Sequence, residues 1–533
     1  MTKWIFVSGG VLSGLGKGLF SASASKLLQS KGHKVVPIKC DGYLNVDPGT
    51  MNPFEHGEVF VLNDGGEVDM DFGHYERFLG INGKFDWNLT SGKVFKSVIE
   101  KERKGEYLGK TVQLIPHVTE EIKNRFEEVA DNEDADIVII EVGGTVGDME
   151  NEIFLEAIRQ MRNEKKEEDT AYIHLTLVPY LESVGELKTK PTQHSIKDLQ
   201  ERGIKPDFII GRSDRELNDK IKEKISLFCN VPKEAVISNR NIGNIYRLPL
   251  LLEEQNMDEL LLDKLKLSDG EEDLKEWRRL VEAMENPKDK LKIAMCGKYT
   301  DLEDSYVSII EALKHASAHK DVEVKLKWIE TTNIENNEES VERALKDVDG
   351  VIIPGGFGSR GAEGKIKVAR FSRENDIPIL GLCLGLQIMV TEYARNVCGL
   401  EDANSTEVDQ NTDHPVVFIL PEQREIDEKG GTMRLGGEKT VVKEETRAEN
   451  IYQEDEIEER FRHRYEVNPN YYKSLKENGL VFSGSAKGEN IKQIIELPEK
   501  KHPFYFGTQF HPEFTSSLED PSPVFMKFVE SCL

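Results

Sequence analysis

Short apolar runs rich in β-branched residues, each breaking into a glycine or polar turn and then into a longer amphipathic stretch, set the rhythm of this chain. "WIFVSGG", "HKVVPIKCD", "ADIVIIEVGG", "YIHLTLVPY" and "PDFIIGRSD" follow one another in the first half in this way. A strand buried on both faces reads as a continuous apolar run, and a helical crossover must follow it before a parallel neighbour can be laid down. The pattern predicts an α/β architecture. A charged stretch at 266–290, "KLSDGEEDLKEW" through "ENPKDK", breaks the rhythm and reads as a helix plus linker. It then resumes with "LKIAMCGKY", "VDGVIIPGGFG" and "IPILGLCLGLQIMV". We therefore expect two doubly wound domains, 1–265 and 291–533, each large enough for its own core. The charge-rich stretches "ENNEESVER" and "EDEIEER" read as solvated helix faces or loops.

Charge narrows the partners. With 70 Lys plus Arg against 97 Asp plus Glu, the formal charge of −27 disfavours nucleic acid and anionic membrane, so any anion site must be local. The six cysteines lie far apart without a CxxC pair, which suits a reducing cytoplasm. No secretory h-region opens the chain and no apolar run approaches ~18 residues, so a cytoplasmic location is expected.

The first strand runs into "SGGVLSGLGKG", which departs from the phosphate-loop spelling G-x-x-x-x-G-K-[ST]: Val11 takes the first glycine's place and Gly18 the metal-binding hydroxyl's. Glycines in a strand–turn–helix still let backbone N–H groups approach phosphate oxygens, with Lys17 reaching the outer phosphates. A ligand-free glycine turn reads the same way. Asp71 in "DMDFGHYERF" and Glu141 closing "DIVIIE" supply the carboxylates that a hard Mg2+ ion shares with nucleotide phosphates, the role Gly18 cannot fill. Either residue alone equally fits a cap or a surface position. Lys39 ends the second strand, where a cation neutralises a transferring phosphoryl group. "GELKTKPTQHS" places Lys188 and Lys190 beside Thr192 and Gln193, a loop suited to a second polyphosphate and equally to a charged surface turn.

In the second half, "PILGLCLGLQ" sets Cys383 between glycines where an apolar strand turns into a helix. This is a nucleophile-elbow arrangement, in which the helix N-terminus lowers the thiol pKa; a buried structural cysteine is the alternative. "YFGTQFHPEF" offers His511 as the base and Glu513 to fix its tautomer. The glycines of "IIPGGFGSRG" suit an oxyanion hole, with Gly356 the donor.

Through "PGGFG", "GLCLGLQ" and "HPEF" the second half resembles class I, triad-type glutamine amidotransferase domains. The whole chain resembles the CTP synthase family. "KCDGYLNVDPGTMNPFEHGEVFVLNDGGEVDMDFGHYERF", "RKGEYLGKTVQLIPHVT", "EVGGTVGDME", "KTKPTQHS", "LFCNVP", "ANSTE", "GGTMRLG" and "RHRYEVN" match its motifs in family order. The resemblance implies a P-loop-like, dethiobiotin synthetase-like synthetase domain ahead of the amidotransferase domain. It implies ATP contacts from Ser13, Gly14, Leu15, Gly16, Lys17, Gly18, Lys39 and Asp71, with Mg2+ held by Asp71 and Glu141. UTP, or inhibitory CTP, is then expected at Ser13, Asp148, Met149, Glu150, Lys188, Thr189, Lys190, Pro191, Thr192, Gln193 and Lys224. Glutamine is expected at Gly356, Leu384, Gln387, Glu407 and Arg464, beside Cys383, His511 and Glu513. The family also implies GTP as activator, a homotetramer with the pyrimidine site between subunits, and filaments. It implies an ammonia passage lined in part by "PFEHGEVF", including His56, which as a residue reads equally as a hydrogen-bonded core histidine.

Three departures from the family pattern stand out: Gly14 where a second Ser is usual, Gly42 where Pro is usual, and a short "PEQREIDEKGG" before "GGTMRLG". The chemistry implied is phosphorylation of O4 of UTP by ATP, release of ammonia from glutamine through a Cys383 thioester, and displacement of phosphate from C4 by that ammonia. Ammonia with an aqueous pKa of about 9 is protonated in bulk water at neutral pH, so the transfer is expected to be internal. Two other readings remain: a P-loop amidating ligase of the cobyrinate type, which needs a carboxylate substrate, and a non-catalytic assembly protein that keeps the fold.

Overall fold

The strand β1 (Lys3–Gly9) is buried from Trp4 to its end and has a parallel neighbour on each side, as its unbroken apolar run requires. Six further strands complete its sheet: β2 (Val35–Asp41), β3 (Asn88–Thr90), β4 (Ile137–Val142), β5 (Thr170–Leu177), β6 (Phe208–Ser213) and β7 (Val236–Arg240). Their order is β7-β6-β5-β1-β4-β2-β3, parallel throughout. Helix α1 (Lys17–Gln29) follows β1, and its run of Ser and Ala from Ser21 to Ser25 is fully covered, small side chains permitting a close seat on the sheet.

The second sheet has nine strands: β8 (Asp289–Gly297), β9 (Val322–Glu330), β10 (Gly350–Ile353), β11 (Ile379–Leu382), β12 (Arg434–Val442), β13 (Glu456–His463), β14 (Val481–Ala486), β15 (Lys492–Glu496) and β16 (Tyr505–Thr508). The order is β9-β8-β10-β11-β16-β15-β14-β12-β13. The first five are parallel; the remaining four extend the sheet antiparallel. That extension lies beyond the doubly wound pattern expected for this half. Its last member corrects the reading of "EDEIEER" as solvated: Glu459 and Arg460 are buried, with Arg460 fully covered.

This computed structural model describes residues 2–49, 51, 57–270, 273–298, 303–419 and 433–533. His56 and the "PEQREIDEKGG" segment lie outside the described residues. The chain forms two compact units: residues 1–48 with 74–278, and residues 49–73 with 279–533. This packing differs from the contiguous 1–265, 266–290 and 291–533 read from sequence. A hairpin of Phe60–Val61 against Glu67–Val68 belongs to the second unit, and helix α4 (Lys275–Glu285) begins in the first, where Trp277 is buried between Phe78 and Tyr246 and donates to the Tyr246 carbonyl at 2.8 Å.

Candidate functional site

In the first unit the expected nucleotide residues gather along the carboxyl ends of the strands, the edge where open parallel sheets bind ligands. The glycine loop leaves β1 and reaches α1 through Gly14 and Gly16, both in the left-handed region (φ 76° and 81°). A β-carbon at residue 14 meets nothing within 4 Å, so the departure at Gly14 suits the backbone rather than a space constraint. Gly42 does answer a space constraint, since a β-carbon there would lie 2.6 Å from Asn151 Oδ1. Lys17 packs its stem over Gly9 and donates from Nζ to the Gly144 carbonyl at 2.6 Å, tying the loop to the turn after β4.

Lys39 and Glu141 are register partners on β2 and β4, and Lys39 Nζ meets Glu141 Oε1 at 2.9 Å, both side chains buried. The Tyr75 hydroxyl donates to the other Glu141 oxygen. Asp71, which opens helix α2 (Asp71–Leu79), falls in the 49–73 segment of the second unit, and its N–H is held by Asp69 Oδ1 at 3.0 Å.

The expected pyrimidine residues divide by exposure. Asp148, Met149, Glu150, Lys190 and Lys224 are exposed, Met149 by 85%, whereas Thr189 and Thr192 are buried at the start of helix α3 (Lys190–Glu201). Thr192 donates to the Leu177 carbonyl at 3.1 Å, Gln193 to Thr189 Oγ1 at 3.0 Å, and Lys188 pairs with Glu186. Beneath this edge runs a buried relay that sequence reading missed. Tyr172 donates to Ser8 Oγ (2.8 Å), Ser8 meets His174 Nδ1 (2.9 Å), and His174 Nε2 meets Ser195 Oγ (2.7 Å). Burial first, and then the charge of Lys17, push His174 down to about 3, so it stays neutral and joins the root of the glycine loop to α3.

The second unit encloses its residues. A cavity of about 450 Å³ is lined by Cys383, Gly356, Gln387, Glu407, Arg464 and His511, a set that sequence reading had named. Cys383 caps helix α5 (Leu384–Asn396) with φ 51° and ψ −101°, a strained elbow held by its N–H on the Thr508 carbonyl at 2.7 Å. Its Sγ meets the Arg462 carbonyl at 3.9 Å and the Gln509 amide at 3.6 Å. His511 Nδ1 and Glu513 Oε1 are 2.7 Å apart, and His511 Nε2 is buried. A β-carbon on Gly355 would stand 2.9 Å from the His511 ring and 3.7 Å from Cys383 Cβ, so glycine is needed to let the two approach. Leu384 packs 3.6 Å from the β-carbon position of Gly356, which brings the α5 N-terminus and the glycine strand end to one spot.

Electrostatics here oppose each other. Burial pulls His511 down, but the charges of Glu513 and Cys383 and the hydrogen bonds to both outweigh it and raise it to about 10. Burial holds Glu459 up at about 7, against the hydrogen bonds it accepts from Tyr452 and Thr515, each at 3.0 Å. Glu407 accepts from the Gly358 N–H at 2.7 Å, and Gln387 donates to the Tyr465 carbonyl at 3.0 Å and to Gln509 at 3.3 Å. Lys298, Tyr306 and Arg462, which line the cavity, and Gln509, which touches Cys383, are not among the expected glutamine residues; Glu58 and Val59, which also line it, belong to the "PFEHGEVF" segment expected along an ammonia passage. Gln509, two residues before His511, and Arg462, two before Arg464 in "RHRYEVN", had a local signal.

Family models match the chain in two blocks: CTP synthase N-terminus over residues 3–267 and glutamine amidotransferase class-I over 301–531. The chain is 52% identical to the CTP synthase of Caldanaerobacter subterraneus subsp. tengcongensis over 533 residues, covering all of this chain and 98% of that one. It is 53% identical to the CTP synthase of Archaeoglobus fulgidus, with coverage of 100% and 98%. Among solved structures it matches the glutaminase domain of Trypanosoma brucei CTPS with bound acivicin, at 34% identity and a TM-score of 0.42, over 45% of this chain and 93% of that one. With both blocks present in order and relatives matched end to end, the chain belongs to the CTP synthase family.

Proposed function

We infer that this enzyme converts UTP to CTP at the expense of ATP, drawing nitrogen from glutamine. The observation that carries the reading is the presence, in one chain, of an enclosed Cys383–His511–Glu513 constellation and of a sheet edge bearing Lys17, Lys39 and Glu141.

We assign Cys383 as the nucleophile. Its thiolate attacks the glutamine side-chain carbonyl carbon, and the Gly356 N–H, with the free N–H groups of the α5 N-terminus, receives the oxyanion. His511, held protonated, gives its proton to the departing ammonia, then takes one from the water that cleaves the thioester and frees glutamate. Glu407 suits the α-ammonium of glutamine and Arg464 its α-carboxylate; Gln387 orders the cavity wall.

In the synthetase half the γ-phosphoryl group passes from ATP to O4 of UTP, forming the O4–P bond and leaving ADP. Ammonia then attacks C4 and phosphate departs with the oxygen. Lys17 and Lys39 offset charge on the moving phosphoryl group. Glu141 and Asp71 each offer the oxygen donors that suit Mg2+, which takes one or two carboxylates plus substrate phosphates. When bound, Mg2+ supplies Lewis-acid neutralisation of the triphosphate.

The exposed Asp148, Met149, Glu150, Lys190 and Lys224 support a pyrimidine site completed by a neighbouring subunit, hence a homotetramer whose assembly nucleotides promote. GTP activation, CTP inhibition, filaments and a passage for ammonia beside His56 complete the reading. All six cysteines are free, which supports a cytoplasmic setting, and no helix among the described residues is long and apolar enough to cross a membrane.

The test is CTP formation from UTP, ATP and Mg2+ with glutamine or with ammonium chloride, followed by absorbance. Product with both nitrogen sources is expected; product with neither overturns the substrate assignment.

A further inference from the structure

The hairpin that the early sequence contributes to the second unit is seated on the strand that braces the candidate triad. Its tip meets β12 backbone to backbone: a β-carbon on Gly436 (φ 85°) would lie 2.6 Å from the Gly65 nitrogen, and the Gly437 N–H donates to the Asn63 carbonyl at 2.8 Å. The hairpin gives Arg460 two acceptors, the Val61 carbonyl at 3.0 Å from its first strand and Asn63 Oδ1 at 3.4 Å from its turn. Its second strand gives Glu67, whose carboxylate receives Arg462 Nε and Nη2 at 2.8 Å each.

The same two arginines hold the site with their main chains. The Arg460 carbonyl accepts the His511 N–H at 2.8 Å, and the Arg462 carbonyl faces Cys383 Sγ at 3.9 Å. A third path runs through rings: Phe60 packs edge-on against Phe514 at 5.2 Å, and Phe514 stacks on His511 at 5.1 Å.

We propose that the hairpin residues Phe60 and Glu67 are positioning residues of the amidotransferase triad, setting His511 through Phe514 and Cys383 through Arg462. The proposal rests on assigning glutamine hydrolysis to Cys383. Neither residue reaches the reacting atoms, so they act on the turnover step and leave glutamine binding intact. A misplacement near 1 Å costs on the order of 100-fold in rate. The full-length variants Phe60→Leu and Glu67→Gln are therefore expected to lose roughly 10- to 100-fold in kcat for glutamine hydrolysis, with KM for glutamine and ammonia-dependent CTP formation unchanged. The variant Glu67→Asp, which keeps a carboxylate for Arg462, is expected to recover most of the Glu67→Gln loss. Wild-type kcat in Phe60→Leu or Glu67→Gln overturns the proposal. So does a loss that appears as raised KM, or one that comes only with a lowered melting midpoint and no recovery in Glu67→Asp. Absence of glutamine hydrolysis in the unaltered enzyme would instead remove the triad assignment beneath it.

Discussion

The two sheets present their chemistry in opposite ways. Around Cys383 the structure is closed in: Cys383, His511 and Glu513 are 5%, 9% and 3% exposed, and the Cys383 N–H is held by the Thr508 carbonyl. Along the carboxyl edge of the first sheet Lys17, Lys39, Glu141, Thr189 and Thr192 are buried, while Ser13, Gly14, Asp148, Met149 and Glu150 lie open. The contrast follows from the ligands proposed. A small amide must be desolvated before a thiolate attacks it, whereas a triphosphate brings its own charges and fills a groove that needs only a few fixed cations.

The sharpest way to break this contrast is to disable one region at a time. Cys383→Ala is expected to abolish glutamine-dependent CTP formation, by roughly 10⁴-fold or more, and to spare ammonia-dependent formation. Lys17→Ala is expected to lower formation from either nitrogen source by about 10²- to 10³-fold. If Cys383→Ala removes ammonia-dependent synthesis as well, the two regions are not chemically separable.

Of intermediate size is the pH response of the enclosed site. With His511 held near 10, kcat for glutamine hydrolysis should stay level into the alkaline range and fall as pH rises through about 10. Glu513→Gln removes the charge chiefly responsible, so that limb should move to lower pH and kcat should drop roughly 10²-fold. An unmoved limb would show that another group sets it.

The smallest effect concerns stability. Burial raises Glu466 to about 8 against the pull of Arg434. Its folded-state pKa lies above the usual carboxylate value, so the folded protein binds that proton more tightly and stability is lost as pH rises from about 4.5 through about 8. In Glu466→Gln the melting midpoint should fall less between pH 5 and pH 9 than in the unaltered protein. Parallel curves would mean the carboxyl is not the source.

What was legible in the sequence was local. Cys383 announces itself because a strand, a glycine turn and a helix are spelled within ten residues, and His511 with Glu513 because they share one turn. Lys17, Lys39 and Glu141 could be placed because buried parallel strands end where their apolar runs end. The relay through His174 was hidden, since a histidine inside "YIHLTLVPY" looks like any core residue until β1 and α3 supply Ser8 and Ser195. Strand β13 was hidden by its charges: its alternation is genuine, but Glu459 and Arg460 face partners that only the fold provides. The hairpin strands, two residues each, are too short for any periodicity, and their partners stand some 395 residues along the chain.

Strands Phe60–Val61 and Glu67–Val68 lie early in the chain yet belong to the unit that ends it. A gene split anywhere between the two halves would therefore hand one product a segment the other needs for its own interior. The join is thus written into the packing as well as the reading frame, and separately expressed halves should work best when residues 49–73 travel with the second.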